Sequence, residues 1–236
     1  MIRGGRVHLA PGYLLHHAPY RDTSRILEVL TRDHGRLTLF ARGVRGPKSK
    51  LTATLQPFQA LLLSWSGRGE APQLTGAELD GAPRVLPAGS LMAAFYLNEL
   101  ILKLTARHDP HPALFEAYHR ALEALKGGAL EEPLRLFEKR LLEEAGYGLD
   151  LESESQTGRS IEPRACYQFR PAQGLVPAAP GAPGALAGSS LIALAHERLA
   201  GSQQLEDARR LLRSALDHCL EGRELATRSV ALALRH

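Results

Sequence analysis

Residues Ser24–Thr31 (SRILEVLT) and Arg36–Ala41 (RLTLFA) alternate apolar and polar side chains on either side of Arg32-Asp33-His34-Gly35, a connection whose glycine can take a positive φ. A period of two does not fit a helix, so the segment commits the N-terminal region to antiparallel sheet. Within RLTLFAR, Leu37, Leu39 and Ala41 share one face, while Arg36, Thr38, Phe40 and Arg42 share the other. Further strands are predicted at Gly12–His17, Ala60–Ser64 and Pro72–Glu78, the last two separated by Gly67-Arg68-Gly69. Five short strands within about 70 residues imply a small barrel or sandwich, and the five-stranded OB-fold fits that count.

After Pro83 and Pro87 the texture turns helical. Leu91–Thr105 is apolar nearly all round, with Ser90 as its expected N-cap, which predicts a helix buried on most sides. Ala113–Leu125 and Glu131–Ala145 follow, ended by Gly127-Gly128 and by Gly146. Residues 148–189 are rich in proline and lack a helical period, which predicts a loop-rich insertion with a flexible loop at Pro177–Gly188. Ser190–Ala200, Leu205–Leu220 and Glu224–Leu234 complete a helical region. The expected fold class is α+β. An OB-fold nucleic-acid-binding domain spans residues 1–82, and an α-helical domain carrying the insertion spans 83–236.

Charge concentrates where the strands are. From His34 to Gly69 the chain carries Arg36, Arg42, Arg45, Lys48, Lys50 and Arg68 and not one Asp or Glu. Residues 1–80 hold 11 Lys and Arg against 6 Asp and Glu, whereas the whole chain is only +4, so the excess belongs to the N-terminal third. Phosphates repel carboxylates, and the glycine-containing loop ARGVRGPKSK (41–50) can approach a polyanion backbone closely. Phe40, interleaved with Arg36 and Arg42, either stacks on bases or packs beneath a neighbouring loop; the residues leave both open.

Catalytic chemistry has no positive support. No Walker loop, GxGxxG, HExxH or GxSxG occurs, so neither an enzyme nor a cofactor is expected. His16-His17 and His108-x-x-His111 read as ordinary histidines, and no metal is expected. The adjacent pairs Glu131-Glu132 and Glu143-Glu144 point about 100° apart on a helix, which suits solvated faces rather than an acid/base pair. Cys166 and Cys219 are the only cysteines, too few for a disulfide framework. No apolar run approaches the roughly 18 residues that span a bilayer, and Pro11 and Gly12 break the N-terminal one, so a cytoplasmic protein without membrane contact is expected. In PLRLFEKRLLEEAGYG (133–148), Arg135 and Lys139 lie beside Phe137 and Leu141. Such a set can clamp the carboxylate of an acidic peptide with an apolar end, or Arg135 can simply pair with Glu138 or Glu131.

The order and spacing of several stretches resemble the RecO family of bacterial recombination mediators. They are Asp22-Thr23-Ser24, GRLTLFARGVR (35–45), LQPF (55–58), GRGE (67–70), YLNEL (96–100), LRLFEKRLLEEAGYG (134–148) and GREL (222–225). The resemblance implies an N-terminal OB-fold, a helical C-terminal domain, and binding of single-stranded and double-stranded DNA. It also implies strand annealing and, with RecR, loading of RecA onto DNA coated by the single-stranded DNA-binding protein. It further implies capture of that protein's acidic C-terminal tail, with Arg135 at the position of a basic residue used for it. Some relatives carry a four-cysteine zinc module after GYG. Here the insertion holds only Cys166, so a zinc-free member is expected. A pure protein adaptor, whose basic loop meets an acidic partner with incidental DNA binding, is the alternative.

Overall fold

The computed structural model describes residues 5–46, 49 and 51–233. Contacts divide the chain into a unit ending at Gly128 and a unit beginning at Ala129.

In the first unit, β1 (Val7–Tyr20), β2 (Ser24–Thr31), β3 (Gly35–Ala41), β4 (Leu61–Ser66) and β5 (Gln73–Leu79) form a closed barrel in the order β1-β2-β3-β5-β4. All pairings are antiparallel except β3 with β5, which meet in parallel at Phe40 and Gln73. This is the OB arrangement, with a short helix, α1 (Leu51–Thr54), between β3 and β4. The predicted alternation holds: Leu27, Val29, Leu37, Leu39 and Ala41 enter the core with Leu63 and Trp65. Gly35 sits at φ +67°, as its turn requires, and a Cβ there would lie 2.2 Å from the Asp109 carbonyl oxygen. The first strand runs well past the predicted Gly12–His17 in both directions. A bulge at Leu15 lets it bend from one barrel face to another.

Two helices, α2 (Ala88–Leu104) and α3 (Pro112–Lys126), pack on the barrel's outer side. Asn98 donates to the Leu15 carbonyl at 2.8 Å, satisfying the bulge, and its own carbonyl accepts from the buried Tyr118 hydroxyl. Tyr13 stacks edge-on to Tyr118 with ring centroids 5.0 Å apart, and its hydroxyl meets His119 Nδ1 at 2.6 Å. Arg84 is buried against the Tyr13 ring and pairs with Glu123 at 2.6 Å. Ser90 is not the N-cap expected of it. The helix begins at Ala88 behind Pro87, and the Ser90 hydroxyl donates to the Leu125 carbonyl at 2.9 Å, tying α2 to α3.

In the second unit, α4 (Glu131–Glu144) leads into the insertion, whose turns and loops enclose a small sheet. It holds an antiparallel sheet of β6 (Cys166–Arg170), β7 (Gly174–Ala178) and β8 (Leu186–Ala187) in the order β7-β6-β8. Pro177–Gly188, read as a flexible loop, supplies the end of β7 and all of β8, with Leu186 buried. Then come α5 (Gly188–Ala195), α6 (Ser202–Leu220) and α7 (Ala226–Ala233). Asp207, almost wholly buried on α6, accepts from the Ser190 hydroxyl at 2.7 Å, the Ala187 amide at 3.2 Å, Gln203 at 2.9 Å and Arg210 at 2.6 Å. Burial pushes its carboxyl up, but these donors together hold it below the usual carboxylate range.

Candidate nucleic-acid interface

Cross-strand register sorts the outer face of β1–β2–β3 into rows. Tyr13, Leu30 and Arg36 form one row; His16, Glu28 and Thr38 the next; Ala18, Ile26 and Phe40 the third. Tyr20 pairs with Ser24 beyond them. The first row is covered by α2, α3 and their connection, and the last is open to solvent.

Arg36 belongs to the covered end. Its guanidinium donates to the Thr105 carbonyl at 2.8 Å, to the Thr105 hydroxyl at 3.2 Å and to Glu28 at 3.0 Å. Glu28 also accepts from Thr38 at 2.6 Å and from Arg107 at 2.7 Å. Burial raises this carboxyl's pKa, yet the Thr38 hydrogen bond and the two guanidinium groups bring it below the usual range. Arg36, expected to track a phosphate backbone, is thus engaged by Glu28 and Thr105 within the fold. The α2–α3 connection lies over this end of the face and takes up its donors.

The open end is built differently. Tyr20 is 41% exposed; Arg21 lies 5.4 Å over its ring, and the Phe40 ring stands edge-on to it at 5.6 Å and 87°. Phe40 is half-buried, and its amide donates to the Pro72 carbonyl at 2.9 Å, which brings the loop bearing the exposed Arg68 beside the end of β3. The loop after β3 is pinned by Val44, which enters the barrel core and whose carbonyl accepts from the Thr52 hydroxyl. Gly43, at φ +70°, turns the chain so that the Gly46 amide reaches the Gly43 carbonyl at 3.1 Å. Arg42 and Arg45 stand exposed on either side of buried Val44. The Arg45 amide donates to the Thr23 carbonyl at 2.8 Å, and its guanidinium reaches the Arg21 carbonyl at 3.4 Å. Arg25, opposite Ala41, adds a further cation, and Asp22 is the one carboxylate in this turn. Lys48 and Lys50 lie outside the described residues. Sequence reasoning missed Tyr20, Arg21 and Arg25 because it ended the first strand at His17. The signal was there: a period of two carried on through Ala18 and Tyr20 to a turn rich in Arg.

In the second unit the predicted partner residues sit on the buried side of α4. Phe137 and Leu141 are core residues, 1% and 0% exposed, so they do not line an open groove as the sequence implied. The apolar stripe of α4 packs against α6 instead. Arg135 is itself buried and pairs with Glu138 at 3.1 Å, the alternative that helical spacing offered; its Nε lacks a hydrogen-bond partner. Lys139 pairs with Glu143 at 3.0 Å and Glu197 at 3.2 Å. Elsewhere in this unit a cavity of about 250 Å³ opens between the insertion and α6, lined by Leu149, Leu151, Phe169, Leu175 and Leu211.

Among the described residues no three His, Cys, Asp or Glu side chains gather as a metal set. No described helix is long and apolar enough to cross a membrane.

The family model for the recombination protein O N-terminal region matches residues 6–81, and that for its C-terminal region matches residues 89–229. The chain is 41% identical to the DNA repair protein RecO of Aromatoleum aromaticum over 238 residues, covering 100% of this chain and 99% of that one. It is 45% identical to the RecO of Methylococcus capsulatus over 95% of this chain and 93% of the relative. It is 39% identical to the RecO of Coxiella burnetii over 95% and 98%. A matching N-terminal barrel, a matching helical C-terminal region and near full-length identity lead to one conclusion: the chain belongs to the RecO family of DNA repair proteins.

Proposed function

We propose that this protein is a non-enzymatic recombination mediator whose barrel, residues 1–82, binds single-stranded and double-stranded DNA. The observation that carries the reading is the pair Arg42 and Arg45, exposed about buried Val44, with Arg45 reaching the turn that follows Tyr20. Arg68 lies on the neighbouring loop, and Lys48 and Lys50, which are outside the described residues, are assigned to the same role on sequence alone. Cations so placed contact phosphates irrespective of base sequence, and neutralising two strands together lowers their repulsion, which is the physical basis of annealing. Replacing both residues, Arg42→Glu with Arg45→Glu, is expected to weaken low-salt binding of a single-stranded oligonucleotide by roughly tenfold or more. Unchanged affinity would refute the reading and favour the adaptor alternative.

The helical region would then recruit the complex to DNA coated by the single-stranded DNA-binding protein and, with RecR, help to load RecA. Support for capture of that protein's acidic tail is the RecO kinship and the half-buried Lys139, one turn from Arg135. The apolar end of the tail needs a seat other than Phe137 and Leu141, and the cavity beside Leu211 is of suitable character. Titrating a tail peptide against Arg135→Ala is expected to show weaker peptide binding with DNA binding retained. Equal loss of both would refute the division of labour.

A further inference from the structure

Phe40 is the aromatic that sequence alone offered for stacking, but its ring is half-buried and turned edge-on beneath another. Tyr20 holds the exposed position. We infer that Tyr20 is the platform on which an unpaired base stacks, with Phe40 as its buttress and Arg21 as its flanking cation. The inference rests on the DNA-binding reading of Arg42 and Arg45 and adds to it the part that distinguishes unpaired bases from backbone charge.

Three observations support it. The Phe40 ring packs perpendicular to the Tyr20 ring, with centroids 5.6 Å apart and planes at 87°, and braces it against the sheet. Arg21 lies 5.4 Å over the same ring, so the guanidinium can stay with the ring or pass to a phosphate of a strand whose base has arrived there. Arg45, whose guanidinium reaches the Arg21 carbonyl, and Arg42, which follows β3 directly, border Tyr20, so a backbone held by them passes beside its ring. Aromatic rings accept any base because every base presents a π-face, whereas bases already paired in a duplex have theirs covered. Tyr20 therefore confers preference for single strands without preference for sequence.

The test uses the full-length protein and two labelled oligonucleotides of one length, one of oligothymidine and one with abasic sites throughout its centre. The backbone charge is the same in both. Wild type is expected to bind the intact strand about tenfold more tightly than the abasic one. Tyr20→Ala is expected to abolish that difference while leaving affinity for the abasic strand unchanged, and Tyr20→Phe to preserve it, since stacking needs the ring and not the hydroxyl. Equal wild-type affinity for the two strands would overturn the inference and leave the charge reading intact. So would a Tyr20→Ala variant that loses affinity for both strands in parallel. If wild type binds neither strand at low salt, the DNA reading itself fails, and the inference falls with it.

Discussion

Arg36 and Arg42 lie in one acid-free stretch, six residues apart, yet their surroundings differ: Arg36 is engaged by the fold and Arg42 is exposed. Arg36 bridges Glu28 and Thr105, and Thr105 is 69 positions away in the sequence. That partner is invisible to a local reading, which is why a structural cation was grouped with the candidate contacts. Arg36→Ala is expected to cost about 2 kcal/mol, because it leaves the partly buried Glu28 carboxylate with only Arg107 as a cation. Urea unfolding measures the cost; DNA affinity under native conditions should barely move. Glu28 is held below its ordinary pKa in the folded state, so the stability it contributes is present above the usual carboxylate range. That stability is lost as pH falls through its folded value, and Glu28→Gln should flatten the acid limb of the stability profile.

Among the elements, the β2–β3 hairpin was the most legible, because strict alternation and a turn glycine both point to one register. The loop that follows it was legible in charge but not in form. Nothing local marks Val44 as a core residue between two exposed arginines, yet its burial turns a basic loop into a surface of fixed geometry. Val44→Ala is expected to cost about 1–2 kcal/mol in unfolding measurements and to weaken oligonucleotide binding although it removes no charge. If binding is untouched, the loop does not need its anchor. The small sheet within the loop-rich insertion is not legible, for the opposite reason. Its strands are two to five residues long and Pro177 interrupts one of them, so no window is long enough to show a period. The sheet buries Tyr167, Leu175, Val176 and Leu186.

For the whole molecule, the texture of the sequence changes near residue 82, but the division between the two units falls after Gly128. Tyr13, Arg36, Arg84 and Asn98 account for the difference, since each ties α2 or α3, or the connection between them, to the barrel through partners far away in sequence. In the second unit, Asp207 joins the insertion's end to α5 and α6 while charged, with its pKa held down. Its contribution should be present above the ordinary carboxylate range and lost as pH falls through the folded value, and Asp207→Asn should remove that acid dependence from thermal unfolding. What ties these parts to a function is the basic open end of the barrel. The direct test is the slope of log affinity for single-stranded DNA on log salt, measured for wild type and for Arg42→Glu with Arg45→Glu. If both arginines meet phosphates, the slope of the variant is shallower by about 1.4, roughly 0.7 for each phosphate that is no longer neutralised. Equal slopes would contradict the account.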